Sequence, residues 1–398
     1  MARFQVLEAD SAKGVDPAWV SKRRSGRIAE EMAEPMPCGG CAAKLPAATL
    51  EAALVRLAPS RADDSVVIGV AERDDVAVTR TPEGRLELHN IDAIRAFCDD
   101  PWLVARVAAS NATSDLFAKG GRPRHAQALI GIPDGDAEHA GEMLHQVLCG
   151  LRETLDGLSV TLLGGHTMSS EVLSVGLAVT GEGPEAGELL RQRGARPGDE
   201  LWLTRPLGTG VVLAADMRGL ARGEWVEAAH ASMLRSHAVA SRRMREAGAT
   251  AATDVTGFGL AGHLSNLLRP DGLTARLERD AIPLLPGARE LFLRGLRSTA
   301  HAPNRAAFLA SVRGASEFDE AWLFDPQTSG GLLFSAPAAA SPRLAEAFAR
   351  SGEPAVARIG RIVAGDSTRD PRHDAARSTS SAQIVVEGEH GDARPPRN

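Results

Sequence analysis

The order in which the hydrophobic period changes along this chain is what most limits how it can fold. Between residues 65 and 183, period-two and 3.6-residue patterns come in clumps rather than in strict alternation. SVVIGV (65–70), DVAVT (75–79) and LELHNID (86–92) predict strands, the last with Leu86 and Leu88 on one face. PWLVARVAASNATSDLFAKGG predicts a long helix stopped by Gly120–Gly121, and AQALIGIP a strand. Residues 136–156 predict a second long helix, with Met143, Leu144, Val147, Leu148, Leu151 and Leu155 at helical spacing. VTLLGGHT (160–167) and LSVGLAVTGEG (173–183) close the half as strands, and LPAATLEAALVRLA precedes it as a helix with Leu50, Leu54 and Leu57 on one face. A doubly wound parallel sheet needs regular strand–helix alternation, so the pattern predicts an α+β fold.

The segment EAGELLRQRGARPGDE marks a boundary. Beyond it, strands are expected at ELWLTRPLG (200–208), TARLER (274–279), GGLLFSA (330–336) and AQIVVEG (382–388). A helix is expected near 228–247, a glycine-rich turn at 254–262 and a loop at 365–381. The resulting division is an arm or linker (1–36), a first domain (37–190), a second α+β domain (191–388) and a disordered tail (389–398). The length of 398 residues suffices for two domains with real cores.

A net charge of −6 argues against a general nucleic-acid binder, which needs a basic face. No apolar run approaches the length of a membrane span, and the N-terminus lacks a secretory pattern, so a cytoplasmic protein with no membrane partner is expected. Four cysteines in so long a chain make no disulfide framework, and Cys98 and Cys149 read as core thiols. Lysine occurs only at positions 13, 22, 44 and 119, so nearly all of the 45 basic residues are arginines. Lys44 and Lys119 lie in motif-like stretches, where a compact ammonium suits phosphate better than a guanidinium.

PCGGCAAKLP holds Cys38, Cys41 and Lys44. It allows three readings. A zinc site needs a second ligand pair, and no second C-x-x-C occurs. Cys38–Cys41 could be a redox dithiol. Cys41 could instead be a reactive thiol whose thiolate Lys44 favours. Aspartates recur at strand ends and beside small residues: Asp74, Asp75, Asp92, Asp115, Asp254 and Asp325. Singly they are caps or turns; together they suit Mg²⁺ on a polyphosphate. AKGGRP (118–123), LGGHT (163–167) and TSGG (328–331) could offer backbone N–H groups to phosphate, or could be plain turns. No P-loop signature occurs. The G-x-G-x-x-G from Gly257 to Gly262 follows a poor strand and an aspartate that would repel pyrophosphate, so a dinucleotide fold is set aside.

Taken together, CAAK (41–44), RDDVAV (73–78), NATSDLFAKGGRP (111–123), GGHT (164–167), TDVTGFGLAGHL (253–264) and DPQTSGGLL (325–333) closely resemble the selenophosphate synthetase (selenide, water dikinase) family, in its order, over residues 36–388. That family shares a superfamily with aminoimidazole ribonucleotide synthetase. The resemblance implies a two-domain aminoimidazole ribonucleotide synthetase-like fold: an N-terminal α/β domain that dimerises through its strands, and a C-terminal α+β domain. It implies a homodimer that uses ATP, several Mg²⁺ ions and selenide, with a possible selenium-delivery protein, and that releases selenophosphate, phosphate and AMP. Carried over by position, Cys41 matches the catalytic cysteine and Lys44 the essential lysine beside the ATP phosphates. Asp75, Asp115 and Asp254 match the magnesium ligands. Asp92, Asp115 and Gly165–His166–Thr167 match ATP contacts, and Asn111 belongs to the same site. Some members carry a second cysteine two residues after the first; here that position is Ala43, and Cys38 lies upstream instead. Two other readings compete: a superfamily relative that phosphorylates a carbonyl or phosphate oxygen, and a non-catalytic selenium- or thiol-binding protein.

Overall fold

The computed structural model describes residues 39–57, 62–268, 272–353, 356–365 and 383–388. The expected arm (1–36), the tail (389–398), Cys38 and most of the 365–381 loop lie outside the described residues.

After a helix Ala47–Val55 (α1), the first half builds a six-stranded sheet. Its strands are β1 (Val66–Ile68), β2 (Ala77–Arg80), β3 (Leu86–Arg95), β4 (Arg122–Pro133), β5 (Thr161–Ser170) and β6 (Ser174–Glu182). The order is β1-β2-β3-β6-β4-β5, antiparallel except for the β4–β5 pair. Two helices cover one face: α2 (Pro101–Ala118) and α3 (Ala137–Gly157). Period two explains β3: Leu86, Leu88 and Ile94 are buried while Glu87, Ile91, Ala93 and Arg95 are exposed. Helix α2 starts where Asp100 accepts a hydrogen bond from the Leu103 N–H, with Pro101 in the first turn. It ends where the Gly120 and Gly121 N–H groups donate back to Phe117 and Leu116 carbonyls, with Gly120 at φ +74°.

The second half carries a seven-stranded sheet in the order β10-β13-β9-β12-β7-β11-β8. These are β7 (Asp199–Leu203), β8 (Ala251–Asp254), β9 (Leu273–Glu278), β10 (Val312–Arg313), β11 (Leu332–Pro337), β12 (Ala357–Ala364) and β13 (Gln383–Glu387). The helix expected near 228–247 is two, Gly223–Leu234 and Ala238–Glu246, split at Arg235–His237. The glycine-rich turn expected at 254–262 is shorter: Val255–Phe258 turn, and Gly259–Gly262 open a helix, Gly259–Leu267. β8 is an edge strand that pairs antiparallel with β11, and the next strand, β9, lies beyond three others, so the turn does not join two neighbouring parallel strands. Strand β12 and the helices Thr209–Asp216 and Ser341–Arg350 are not among the expected elements, although Leu344 and Phe348 of the last bury one face at helical spacing. Cys149 is exposed and Cys98 half-buried, contrary to the core placement expected of both.

Helix α2 is what joins the fold to the chemistry. From Val104 onward it is buried on nearly every side except at Arg106, although it carries Ser110, Asn111, Thr113, Ser114 and Asp115. A helix wrapped on one side by the first sheet and touched on the other by β8 must satisfy those polar groups internally.

Candidate active site

Asn111, Ser114 and Asp115 fall three and four residues apart, so they share one stripe of α2. The Asn111 Nδ2 donates to Asp92 Oδ2 on β3. The Asn90 Nδ2, also on β3, donates to Asp115 Oδ2 at 2.7 Å. The Ser114 hydroxyl donates to Asp254 Oδ2 at the end of β8. One helix thus draws a carboxylate from each half onto its own.

Lys119 closes the far end. Its ammonium is fully buried and has three acceptors: Asp74 Oδ1 at 2.5 Å, Asp75 Oδ2 at 3.1 Å and the Ala252 carbonyl at 3.2 Å. It therefore does not face a phosphate, contrary to the hint from its scarcity. Gln192, in the segment read only as a boundary, donates from Nε2 to Asp75 Oδ1 at 2.8 Å and from its backbone N–H to Asp74 Oδ2 at 3.1 Å. No sequence signal singled it out.

The Cys41 segment lies across this cluster. Its main chain is pinned by Gly40 N–H to the Arg95 carbonyl (2.9 Å) and by Cys41 N–H to Thr328 Oγ1 (3.1 Å). The Cys41 thiol, wholly buried, donates to Asn111 Oδ1 at 3.2 Å. Lys44 reaches Asp92 Oδ1 at 3.3 Å with a third of its side chain still exposed, so it stands at the rim. The segment approaches Gly257 so closely that a Cβ there would lie 2.8 Å from the Cys41 carbonyl oxygen and 2.9 Å from Lys44 Cδ.

Charge follows burial. Five carboxyls (Asp74, Asp75, Asp92, Asp115, Asp254) meet two ammonium groups (Lys44, Lys119). Burial, then Asp254, Asp75 and Asp92, push the Asp115 carboxyl well above the usual carboxylate range. Burial also raises Asp75 and Asp92, against the pull of Lys119 and Lys44 respectively. Burial works against the Lys44 ammonium, but Asp92 holds it above its ordinary value. Burial pushes the Cys41 thiol up to about 12, outweighing Lys44, so in this arrangement Cys41 is a thiol and not the thiolate expected beside a lysine.

The acidic excess fits divalent cations. Asp75, Asp254 and His263 bring ligand atoms within 4.8 Å of one another. His263 Nε2 already accepts the Thr256 N–H at 3.1 Å, which leaves a carboxylate set of the kind Mg²⁺ prefers.

Two expected groups lie elsewhere, and the backbone N–H groups expected for phosphate are already bonded. Asp325 does not join the cluster; it accepts the Val211 N–H near the start of helix Thr209–Asp216, and burial pushes its carboxyl up to about 7. The N–H groups of Gly120, Gly121, Thr328 and Ser329 are spent inside the protein, the last two on Thr209 Oγ1 and Asn111 Oδ1. Gly165–His166–Thr167 sits on the edge strand β5. Asp92 pairs with Leu177, Leu177 with Ala128, and Ala128 with Gly165. Gly165 is thus level with Asp92 but three strands away, roughly 14 Å at the usual strand spacing.

Family models for AIR synthase related protein match residues 73–183 (N-terminal domain) and 196–370 (C-terminal domain). A selenide, water dikinase of Geobacter metallireducens is 38% identical over 311 residues, covering 78% of this chain and 89% of that relative. One of Shewanella sp. (strain W3-18-1) is 34% identical over 305 residues, covering 77% and 86%. The chain belongs to the selenide, water dikinase family. Solved structures share this fold at low identity. Thiamine-monophosphate kinase from Stenotrophomonas maltophilia is 20% identical, with a TM-score of 0.59 over 87% of this chain and 97% of that one. The hydrogenase maturation protein HypE in complex with ATP is 16% identical, with a TM-score of 0.55 over 81% and 83%. The two-domain AIR synthase-like fold follows, and no helix among the described residues is long and apolar enough to cross a membrane.

Proposed function

We propose that this chain transfers the γ-phosphoryl group of ATP to selenide and then hydrolyses the remaining diphosphate, giving selenophosphate, phosphate and AMP. The observation that carries the reading is the convergence of Cys41, Lys44 and the carboxylate cluster through Asn111 and Asp92. A superfamily kinase acting on an oxygen acceptor needs the carboxylates but has no use for a cysteine tied into them.

Cys41 and Lys44 are the catalytic pair. Lys44, charged and at the rim, faces entering phosphate and offsets charge as it develops on the leaving oxygens. Cys41 holds selenide near the γ-phosphate by hydrogen bonding; no S–Se bond forms, so selenium stays at the selenide level and no oxidant is needed. Because the thiol is wholly buried, the segment must open for Cys41 to meet selenide. Asp75, Asp115 and Asp254 would hold Mg²⁺, with Lys119 and Gln192 fixing Asp75 from behind. Bound Mg²⁺ neutralises the polyphosphate and the charge that builds as each anhydride bond breaks. Asp92 and Asn111 line the same site for ATP.

Gly165–His166–Thr167 lies too far from Asp92 to share a terminal phosphate within one chain. The sheet face opposite α2 exposes Ile91 (73%), Leu129 (40%) and Met168 (47%) around this strand. A homodimer covering that apolar face would place the strand at a shared cleft. Domains of 37–190 and 191–388, flanked by an arm and a tail, suit the two family matches, and a cytoplasmic setting suits a reduced Cys41. A selenium-delivery protein is an open partner for the rim at Lys44.

The test is ³¹P NMR of protein, Mg-ATP and selenide without oxygen. The expected result is a selenophosphate resonance with AMP and phosphate, lost in Cys41→Ala. ATP cleaved only to ADP would move the assignment to a superfamily kinase.

A further inference from the structure

Ser329 is one of three non-glycine residues with positive φ (+45°) among the described residues, and it sits directly behind Cys41. A left-handed serine is strained and persists only where its surroundings over-determine it. Its N–H donates to Asn111 Oδ1 at 3.0 Å, the same atom that receives the Cys41 thiol. Its hydroxyl donates to the Met233 carbonyl at 2.8 Å, and its own carbonyl accepts from Arg205 Nη1 at 2.6 Å. The same Nη1 lies 3.3 Å from Ser329 Oγ and 3.4 Å from the Gly330 carbonyl, and Nη2 donates to the Arg235 carbonyl.

Arg205 is an unusual residue to find there. It is 2% exposed and makes no ion pair among the described residues; its hydrogen-bond partners are carbonyls and a hydroxyl. A buried guanidinium with no carboxylate in direct contact is costly, and burial, then Arg235, pulls it down to about 9 against the weaker attraction of Glu353 and Asp254. An arginine purely for packing could be replaced by an apolar residue at a gain. What the guanidinium supplies is a rigid fork, with Nη1 on the Ser329 and Gly330 carbonyls and Nη2 on the Arg235 carbonyl, which ties the strained 329–330 turn to the Arg235 segment.

We propose that Arg205 is a positioning residue for Cys41, acting through the left-handed Ser329 and the shared acceptor Asn111. Each step is a buried hydrogen bond: Arg205 to the Ser329 carbonyl, Ser329 N–H to Asn111, Cys41 thiol to Asn111. The neighbouring Thr328 hydroxyl receives the Cys41 N–H, so one turn of the second half holds both ends of the cysteine residue. With the turn released, Asn111 keeps only Cys41 on that oxygen and the thiol gains freedom to leave. This rests on the catalytic reading of Cys41.

The test is the rate at which iodoacetamide alkylates Cys41 in the nucleotide-free protein, read on the Cys41 peptide by mass spectrometry, with steady-state kinetics alongside. Arg205→Met should speed Cys41 alkylation roughly tenfold, the equivalent of one buried hydrogen bond. It should lower kcat for selenophosphate by a similar factor and leave the KM for ATP within about twofold. Arg205→Lys should restore part of both effects. Should Arg205→Met fail to fold, Ser329→Ala, which keeps the N–H but loses the hydroxyl anchors, should shift alkylation in the same direction. Folded variants whose Cys41 reacts at the parent rate, or whose loss lies in the KM for ATP, overturn the proposal. Full activity in Cys41→Ser would refute the catalytic reading instead, and would leave the alkylation result to decide the positioning.

Discussion

Replacing Asp254 by Asn should make the metal-free protein more stable and the metal-loaded protein less so. Asp75 and Asp254 bring carboxylate oxygens within 4.8 Å, and two such charges repel by about 3 kcal/mol at an effective dielectric near 20. Lys119, 3.1 Å from Asp75, already offsets part of that. The Asn amide oxygen can still accept the Ser114 hydroxyl, so no donor is orphaned. The net expectation in EDTA is a gain of about 1–2 kcal/mol, seen as a rise of about 2–6 °C in Tm. With Mg²⁺ at a hundred times its Kd, the parent should gain about 2.7 kcal/mol and the variant little. The order of Tm values then reverses between the two conditions. Differential scanning calorimetry in EDTA and in Mg²⁺ with a non-hydrolysable ATP analogue reads this directly. A variant less stable than the parent in EDTA, or one that Mg²⁺ stabilises as much as the parent, would refute the electrostatic account.

The raised carboxyl of Asp115 gives a pH signature: the native state binds a proton more tightly than the unfolded chain, so in EDTA its contribution is present below about pH 4 and is lost as pH rises through the higher native value. Asp115→Asn should flatten that part of the Tm profile. Alkylation of Cys41 without nucleotide should keep climbing with pH towards about 12, and a plateau between pH 8 and 9 would show an ordinary thiol. Gly257→Ala should cut activity roughly a hundredfold while the protein stays folded, because its methyl displaces the Cys41–Lys44 segment. Ile91→Asp, on the exposed sheet face, should give monomers in sedimentation velocity; an unchanged mass would place the subunit contact elsewhere.

The sequence alone determined the elements with a strong period and the motifs with a particular composition. Helix α3 and strand β3 fall close to where periodicity put them, because one-sided burial leaves a repeat that can be read; α2, buried on nearly every side, is bounded instead by Pro101 and by Gly120–Gly121, and β6 also falls where expected. The motifs around Cys41, Asp75, Asp115 and Asp254 were legible as local strings, and their joint resemblance named the family. Only the tertiary structure decided which strings meet. Asp325 and Asp254 look alike in sequence, yet one caps a helix and the other joins the carboxylates. Lys119 and Lys44 look alike too, yet one is sealed on Asp74–Asp75 and the other stands at the rim. Gln192, Arg205 and Ser329 act through partners 61 to 219 positions away, save where Arg205 meets Arg235. Desolvation and hydrogen-bond geometry depend on what packs around a group, and neither leaves a trace in the order of neighbouring residues.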